Sequence, residues 1–254
     1  MKKNKFFFYI NLFLLLFLSF AVIVFIHISI TFYKDIKWAR FNPAKLDYYS
    51  QDNIKITSAE KKKARVLFFG DSRICQWENL PDINNCETIN RGIGGETTAG
   101  ALLRIEKDVL ELKPDITVIQ LGINDLTTIG LLPDRYGFIK QTCIKNLERI
   151  IDTLTLKKVN VVVLTVIPNS EVSLVRRLFW SDEIEEAIRD VNSRIVNMEN
   201  DFVHVIKCDE IFHDKNNIKS EYYKDTLHIN QKGYGELNMI LKPVLNDFIN
   251  KRRI

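Results

Sequence analysis

The stretch RVLFFGDS, residues 65–72, sets a short apolar run directly before Gly-Asp-Ser. A run of this length, closed by turn residues, predicts a buried strand entering a tight turn. Glycine permits that turn, and Ser72 then opens the next helix. There its hydroxyl can project into a crevice and its own N–H can point at an anion. A plainer role for the same residues is a Gly-Asp turn with Ser72 as helix N-cap.

Similar units recur on either side. Residues 116–121 (ITVIQL) end in Gly122, and residues 159–167 (VNVVVLTVI) end in Pro168. Residues 86–90 and 202–206 are two further predicted strands. Between them lie stretches with helical apolar spacing. Residues 98–112 carry Leu102, Leu103, Ile105, Val109, Leu110 and Leu112, and Pro114 stops them. Residues 136–157 carry Ile139, Cys143, Leu147, Ile150, Ile151 and Leu154 on one side, and helices are also expected over 182–199 and 231–249. Nearly all-apolar strands alternating with helices imply a parallel sheet covered on both faces, with right-handed crossovers. The expectation is an α/β chain with one three-layer α/β/α domain of flavodoxin-like type and about five parallel strands. Sites in such sheets form beyond the C-terminal strand ends.

The residues with chemical potential fall at those ends. Residues 90–98 (NRGIGGETT) follow the second strand, and their glycines let backbone approach a ligand. The G-x-G-G spacing and the position after the second strand argue against a dinucleotide fingerprint. Thr97 or Thr98 is a natural cap for the helix that follows. Gly122-Ile123-Asn124-Asp125 follows the third strand; the Asn124 amide can donate to a developing oxyanion, or simply cap a turn. Asp225-Thr226-Leu227-His228 precedes the last helix. Its spacing lets Asp225 accept from His228 Nδ1, which leaves Nε2 to take a serine proton. Asp-x-x-His is also a common structural pair.

From residue 6 to 33 the chain has no Asp, Glu, Lys or Arg. As a helix rising about 1.5 Å per residue, the run crosses a hydrocarbon core of about 30 Å, with aromatic residues at both ends. A cleaved signal peptide is the rival reading, with Lys2, Lys3 and Lys5 ahead of the run and a small-x-small site at Ser19-Phe20-Ala21. The apolar run continues past Ala21, which favours an uncleaved anchor. Lys34, Lys37 and Arg40 follow it, so the flanking charge is nearly balanced. A short basic head before a long apolar run favours a single-pass membrane protein with its domain on the extracytoplasmic side. His27 inside the run reads as incidental. The expected division is an anchor over 1–33, a polar stem over 34–63 and a domain over 64–254.

Composition excludes little else. The formal net charge is +4, and the basic runs at Lys61–Lys63 and Lys251–Arg253 are short, as for solvated surface. No nucleic-acid partner is expected. None of the four cysteines forms a CxxC pair, and no His or Cys spacing suits zinc. Cys75 and Cys86 are either a disulfide or two thiols. Leu178, Phe179 and Trp180 read as packing residues, with a substrate rim as the alternative. His204 and His213 read as surface or structural positions.

Taken in order, the GDS, GIGGET, GIND and DTLH blocks resemble those of the SGNH hydrolase superfamily, the GDSL-type esterases and lipases. The resemblance spans about residues 64–250 and is nearest to the branch with platelet-activating-factor acetylhydrolase-like and lysophospholipase or thioesterase-like members. It implies Ser72 as nucleophile, with Asp225 and His228 as acid and base. Ser72 N–H, Gly95 N–H and the Asn124 amide become the oxyanion donors. It also implies a membrane-anchored serine esterase acting on an acyl ester, of an envelope glycan or a lipid, without metal or organic cofactor. Acyl transfer by the same triad and a non-catalytic scaffold are the alternatives. Two positions depart from the usual pattern: Gly94 precedes Gly95, and Arg73 follows the serine, where it reads as a solvated helix-start residue.

Overall fold

The computed structural model describes residues 2–214 and 217–251. The chain divides into two units, one up to Lys45 and one from Leu46 onward.

The first unit is helix α1 (Lys2–Phe41). From Lys5 to Phe41 it is long and apolar enough to cross a membrane, and the side chains of its most apolar stretch are unburied. The helix runs on beyond residue 33, because Lys34–Phe41 contains no Gly or Pro to stop it. The side chains of Lys2 and Lys3 lie outside the described residues, as do Arg252, Arg253 and the last residue of the expected domain.

The second unit holds a sheet of β1 (Ala64–Gly70), β2 (Cys86–Gly92), β3 (Ile116–Gln120), β4 (Asn160–Leu164) and β5 (Val203–Ile206). The strands are all parallel, in the order β2-β1-β3-β4-β5. Its helices are α2 (Ser50–Ser58), α3 (Ser72–Cys75), α4 (Thr98–Asp108), α5 (Ile123–Thr127), α6 (Tyr136–Leu156), α7 (Asp182–Val196), α8 (Cys208–Phe212) and α9 (Gln231–Lys251). Strand alternation splits the core. Leu67, Phe69, Ile119, Val161 and Val163 pack with α4, α6 and α7, while Val66, Phe68, Val118, Val162 and Leu164 pack with α8 and α9. This is the expected three-layer α/β/α domain.

Register sets the site. Gly70 pairs with Gly92 and with Gln120, so β1, β2 and β3 end side by side. The chain leaves β1 toward β2 on one side and returns to β3 on the other, which opens a crevice at the strand ends.

Three details differ from the sequence expectations. The strand read over 159–167 leaves the ladder after Leu164. On α4 the buried face is Ala101, Arg104, Ile105 and Asp108, whereas Leu103 is exposed. Arg104 can be buried there because its guanidinium meets Glu96, Asp108 and the carbonyls of Gly70 and Arg91. Part of the expected stem belongs to the domain: on α2, Asn53 donates to Asp108 (2.6 Å) and accepts from Arg91 (3.0 Å), and Asp52 pairs with Arg91. Of the two alternatives for Cys75 and Cys86, the structure has the thiols.

Candidate active site

Ser72 is the first residue of α3, immediately beyond β1. Asp71 is the N-cap of that helix, its carboxylate accepting from Arg73 N–H at 2.9 Å. Capping therefore falls to Asp71, and the Ser72 hydroxyl is left for other partners.

That partner is His228. Its Nε2 lies 3.0 Å from Ser72 Oγ, across 156 positions of sequence. Its Nδ1 lies 2.8 Å from Asp225 Oδ2 and 3.1 Å from Oδ1. Asp225 also accepts from the backbone N–H groups of Leu227 (2.8 Å) and His228 (2.9 Å). Burial alone would push the Asp225 carboxyl up. The two backbone donors and the His228 ring outweigh it and hold the group down at about 2. Asp225 is thus anionic across the neutral range and fixes the imidazole with Nδ1 as donor and Nε2 as acceptor toward Ser72.

Gly95 and Asn124 lie on the segments that follow β2 and β3. Gly95 has φ +75°, a left-handed conformation that favours glycine, and it is exposed at the end of β2. Asn124, in the first turn of α5, donates from Nδ2 to the Glu96 carbonyl at 2.9 Å. That bond ties the β3 loop to the β2 loop and uses one of the two amide protons. The neighbouring Asp125 reinforces the tie, accepting from Thr98 N–H (2.9 Å) and Thr98 Oγ1 (2.6 Å). Thr97 caps α4, as expected for one of the two threonines.

Arg73 is not the solvated residue the sequence suggested. It is 1% exposed, with Nε donating to the Leu227 carbonyl (2.9 Å) and Nη1 to the Ile167 carbonyl (2.7 Å). The residue after Ser72 therefore holds the backbone just before His228. Burial pulls the guanidinium below its usual range, with Asp71 opposing. Burial pushes Asp71 up to about 7, with Arg73 opposing. The sequence offers one signal for this role, a cation where the helix turns inward against apolar Ile74.

Leu178 and Phe179 are exposed, contrary to their reading as packing residues; only Trp180 packs against the core. They point outward because the turn over Arg176–Phe179 lies between β4 and α7, outside the sheet layers. His204 is a surface residue 3.4 Å from Glu199, and His213 is half-buried. Among the described residues, no group of three or more His, Cys, Asp or Glu is placed to hold a metal ion.

The sequence model of the family described as GDSL-like Lipase/Acylhydrolase matches residues 66–235. The uncharacterized lipoprotein YqeF of Bacillus subtilis is 28% identical, over 57% of this chain and 73% of its own length. Human platelet-activating factor acetylhydrolase IB subunit alpha2 is 34% identical over 31% of this chain; the match spans 36% of that protein. Among solved structures, a GDSL-like lipase from Bacteroides thetaiotaomicron superposes with a TM-score of 0.66 at 22% identity, covering 80% of this chain and 98% of the other. That last likeness is one of fold. The family match covers the sheet from Val66 of β1 through β5 and both halves of the Ser72–His228 pair, and the chain accordingly belongs to the GDSL-like lipase/acylhydrolase family of hydrolases.

Proposed function

We propose that this hydrolase is a membrane-anchored serine esterase that cleaves an acyl ester through Ser72, His228 and Asp225. The observation that carries this reading is the continuous relay from Asp225 Oδ2 through the imidazole to Ser72 Oγ, with contacts of 2.8 and 3.0 Å.

In the proposed reaction, Ser72 Oγ attacks the ester carbonyl carbon as its proton passes to His228 Nε2. Asp225 stabilises the imidazolium. The carbonyl oxygen becomes an oxyanion, met by Ser72 N–H, Gly95 N–H and the remaining amide proton of Asn124. His228 returns the proton to the departing alkoxide, which leaves an acyl-serine. Water then attacks the acyl group, giving its proton to His228, and the second tetrahedral adduct collapses to the acid as His228 returns that proton to Ser72 Oγ. Each oxyanion donor is worth about 10²–10³ in rate.

The anchor reading is supported by the span of α1, and the Bacillus subtilis relative is described as a lipoprotein. The functional division proposed is an N-terminal anchor followed by a hydrolase unit that starts at Leu46.

The test is the full-length protein assayed on p-nitrophenyl esters from acetyl to palmitoyl, beside Ser72→Ala and Asp225→Asn. Ser72→Ala is expected to abolish turnover and labelling by a fluorophosphonate. Asp225→Asn is expected to cost at least about a hundredfold in kcat, because the imidazole loses the partner that sets its tautomer. In the wild type, Asp225 keeps its charge down to about 2, so its own protonation should not limit activity at mildly acid pH. Labelling that survives in Ser72→Ala would sink the assignment. A folded wild type that labels at Ser72 yet cleaves no ester would point to acyl transfer instead.

A further inference from the structure

We propose that an exposed apolar rim formed by residues 131–138 and 174–179 is a bilayer-contacting surface that sets the Ser72 crevice against an anionic lipid membrane. The proposal rests on the reading of this chain as a membrane-anchored acyl-ester hydrolase.

The first observation is exposure. Leu174 is 80% exposed, Val175 73%, Leu178 78% and Phe179 53%, so four of six consecutive residues hold large apolar side chains in solvent. Single exposed apolar residues are ordinary, but contiguous ones mark an interaction surface. The second observation is that the patch extends. Leu131 and Leu132, on the segment that joins α5 to α6, and Phe138, in the first turn of α6, are also exposed. The two segments touch: a methyl group added at Gly130 would lie 1.9 Å from the Phe179 carbonyl oxygen.

The third observation is position. Ser170 N–H donates to the Thr226 carbonyl (2.8 Å), and Ser173 N–H donates to Thr226 Oγ1 (3.3 Å). Thr226 lies between Asp225 and His228, so the apolar turn is laced to the loop that presents the base. Arg176 and Asp225 line one hollow.

The fourth observation is charge, and it selects the occupant. Arg176 and Arg177 sit in the middle of the apolar run, residues 172–180 include no Asp or Glu, and in the other segment Asp134 is offset by Arg135. Apposing this patch to a second copy of itself would bring those guanidinium groups together. Anionic headgroups would instead neutralise them while the leucines and phenylalanine enter the acyl boundary, the chemistry of an interfacial membrane contact. An acyl ester held in that layer would then face Ser72 without crossing water.

The experiment uses the full-length chain in vesicles of phosphatidylcholine and phosphatidylglycerol carrying brominated acyl chains. Leu178→Cys, in a Cys75→Ser and Cys86→Ser background, is labelled with an environment-sensitive fluorophore. The reference position is Met239→Cys, exposed on α9 beneath the opposite face of the sheet. Quenching at position 178 is expected to exceed that at 239 by about threefold or more, as for a side chain at the acyl boundary. Arg176→Glu with Arg177→Glu should bring it down to the level found in vesicles of phosphatidylcholine alone. Equal quenching at 178 and 239, or quenching at 178 indifferent to both lipid charge and the arginine changes, would overturn the proposal. Hydrolysis of the p-nitrophenyl esters from acetyl to palmitoyl is read in the same samples. Its absence would count against the esterase reading, while the quenching result decides the membrane contact separately.

Discussion

Two carboxylates close to Ser72 are driven in opposite directions. Asp225 sits near 2 because backbone N–H groups and the imidazole stabilise its charge; Asp71 is pushed up to about 7 because burial withholds water from it. Asp71 Oδ1 accepts from Arg73 N–H, but Oδ2 is buried without a partner. A carboxyl raised in the fold stabilises the protein fully below its unfolded value near 4, and that contribution is lost as pH rises through about 7. Asp71→Asn keeps the capping oxygen and removes the titration. Relative to wild type, the variant should therefore gain stability between pH 5 and pH 7.5, by on the order of 1–3 kcal/mol. Urea midpoints at the two pH values measure it, and a wild-type-minus-variant difference that does not move with pH would refute the burial argument. At this scale the sequence was legible where a motif names the atom, as for Ser72 and His228. It was not legible at Arg73, because only the folded loops bring the Leu227 and Ile167 carbonyls to it.

Strand and helix identities were legible because the period of apolar residues differs between them: the predicted β1 and β3 match the observed strands to within a residue at each end. Which face of α4 turns inward was not, because buried Arg104 reads as surface until Glu96 and Asp108 are seen to pair with it. The same blind spot hid α2. Its sequence, SQDNIKITS, is largely polar, and apart from Ile56, which packs on the core, its fit to the domain is made of hydrogen bonds. Tyr49, just ahead of it, donates to the Gly92 carbonyl at 2.6 Å, with the Arg91 guanidinium 4.5 Å from its ring centre. Removing α2 would leave Arg91 and Asp108, both nearly fully buried, short of partners. Losing one side of such a buried network costs about 3–5 kcal/mol. A chain that begins at Arg65 is therefore expected to unfold at distinctly lower urea than one that begins at Leu46. Because Gly92 leads into the Gly95 loop, Tyr49→Phe should lower kcat with little change in KM. Equal urea midpoints for the two chains would show that α2 merely rests on the surface.

At the scale of the whole molecule, strand order turns separate loops into one crevice: with β1 between β2 and β3, the segments after all three leave the same edge of the sheet, where Ser72 lies. The proposed anchor and its orientation can be tested together, and the chain's own thiols offer a reporter. Cys75 is exposed, one turn beyond Ser72, whereas Cys143 and Cys208 are buried. Burial pushes the Cys208 thiol up to about 12 and raises Cys143 well above its usual value, so both are nearly inert toward maleimide in the fold. A membrane-impermeant maleimide applied to intact cells should therefore label Cys75 if the domain is extracytoplasmic, and the labelled chain should keep its full mass and stay in the membrane after a carbonate wash. Labelling that appears only after lysis would place the domain in the cytoplasm and reverse the proposed orientation. Labelling in intact cells on a shortened, carbonate-released chain would mean that the apolar run is removed as a signal peptide, which would also withdraw the tether that keeps the apolar rim beside a bilayer.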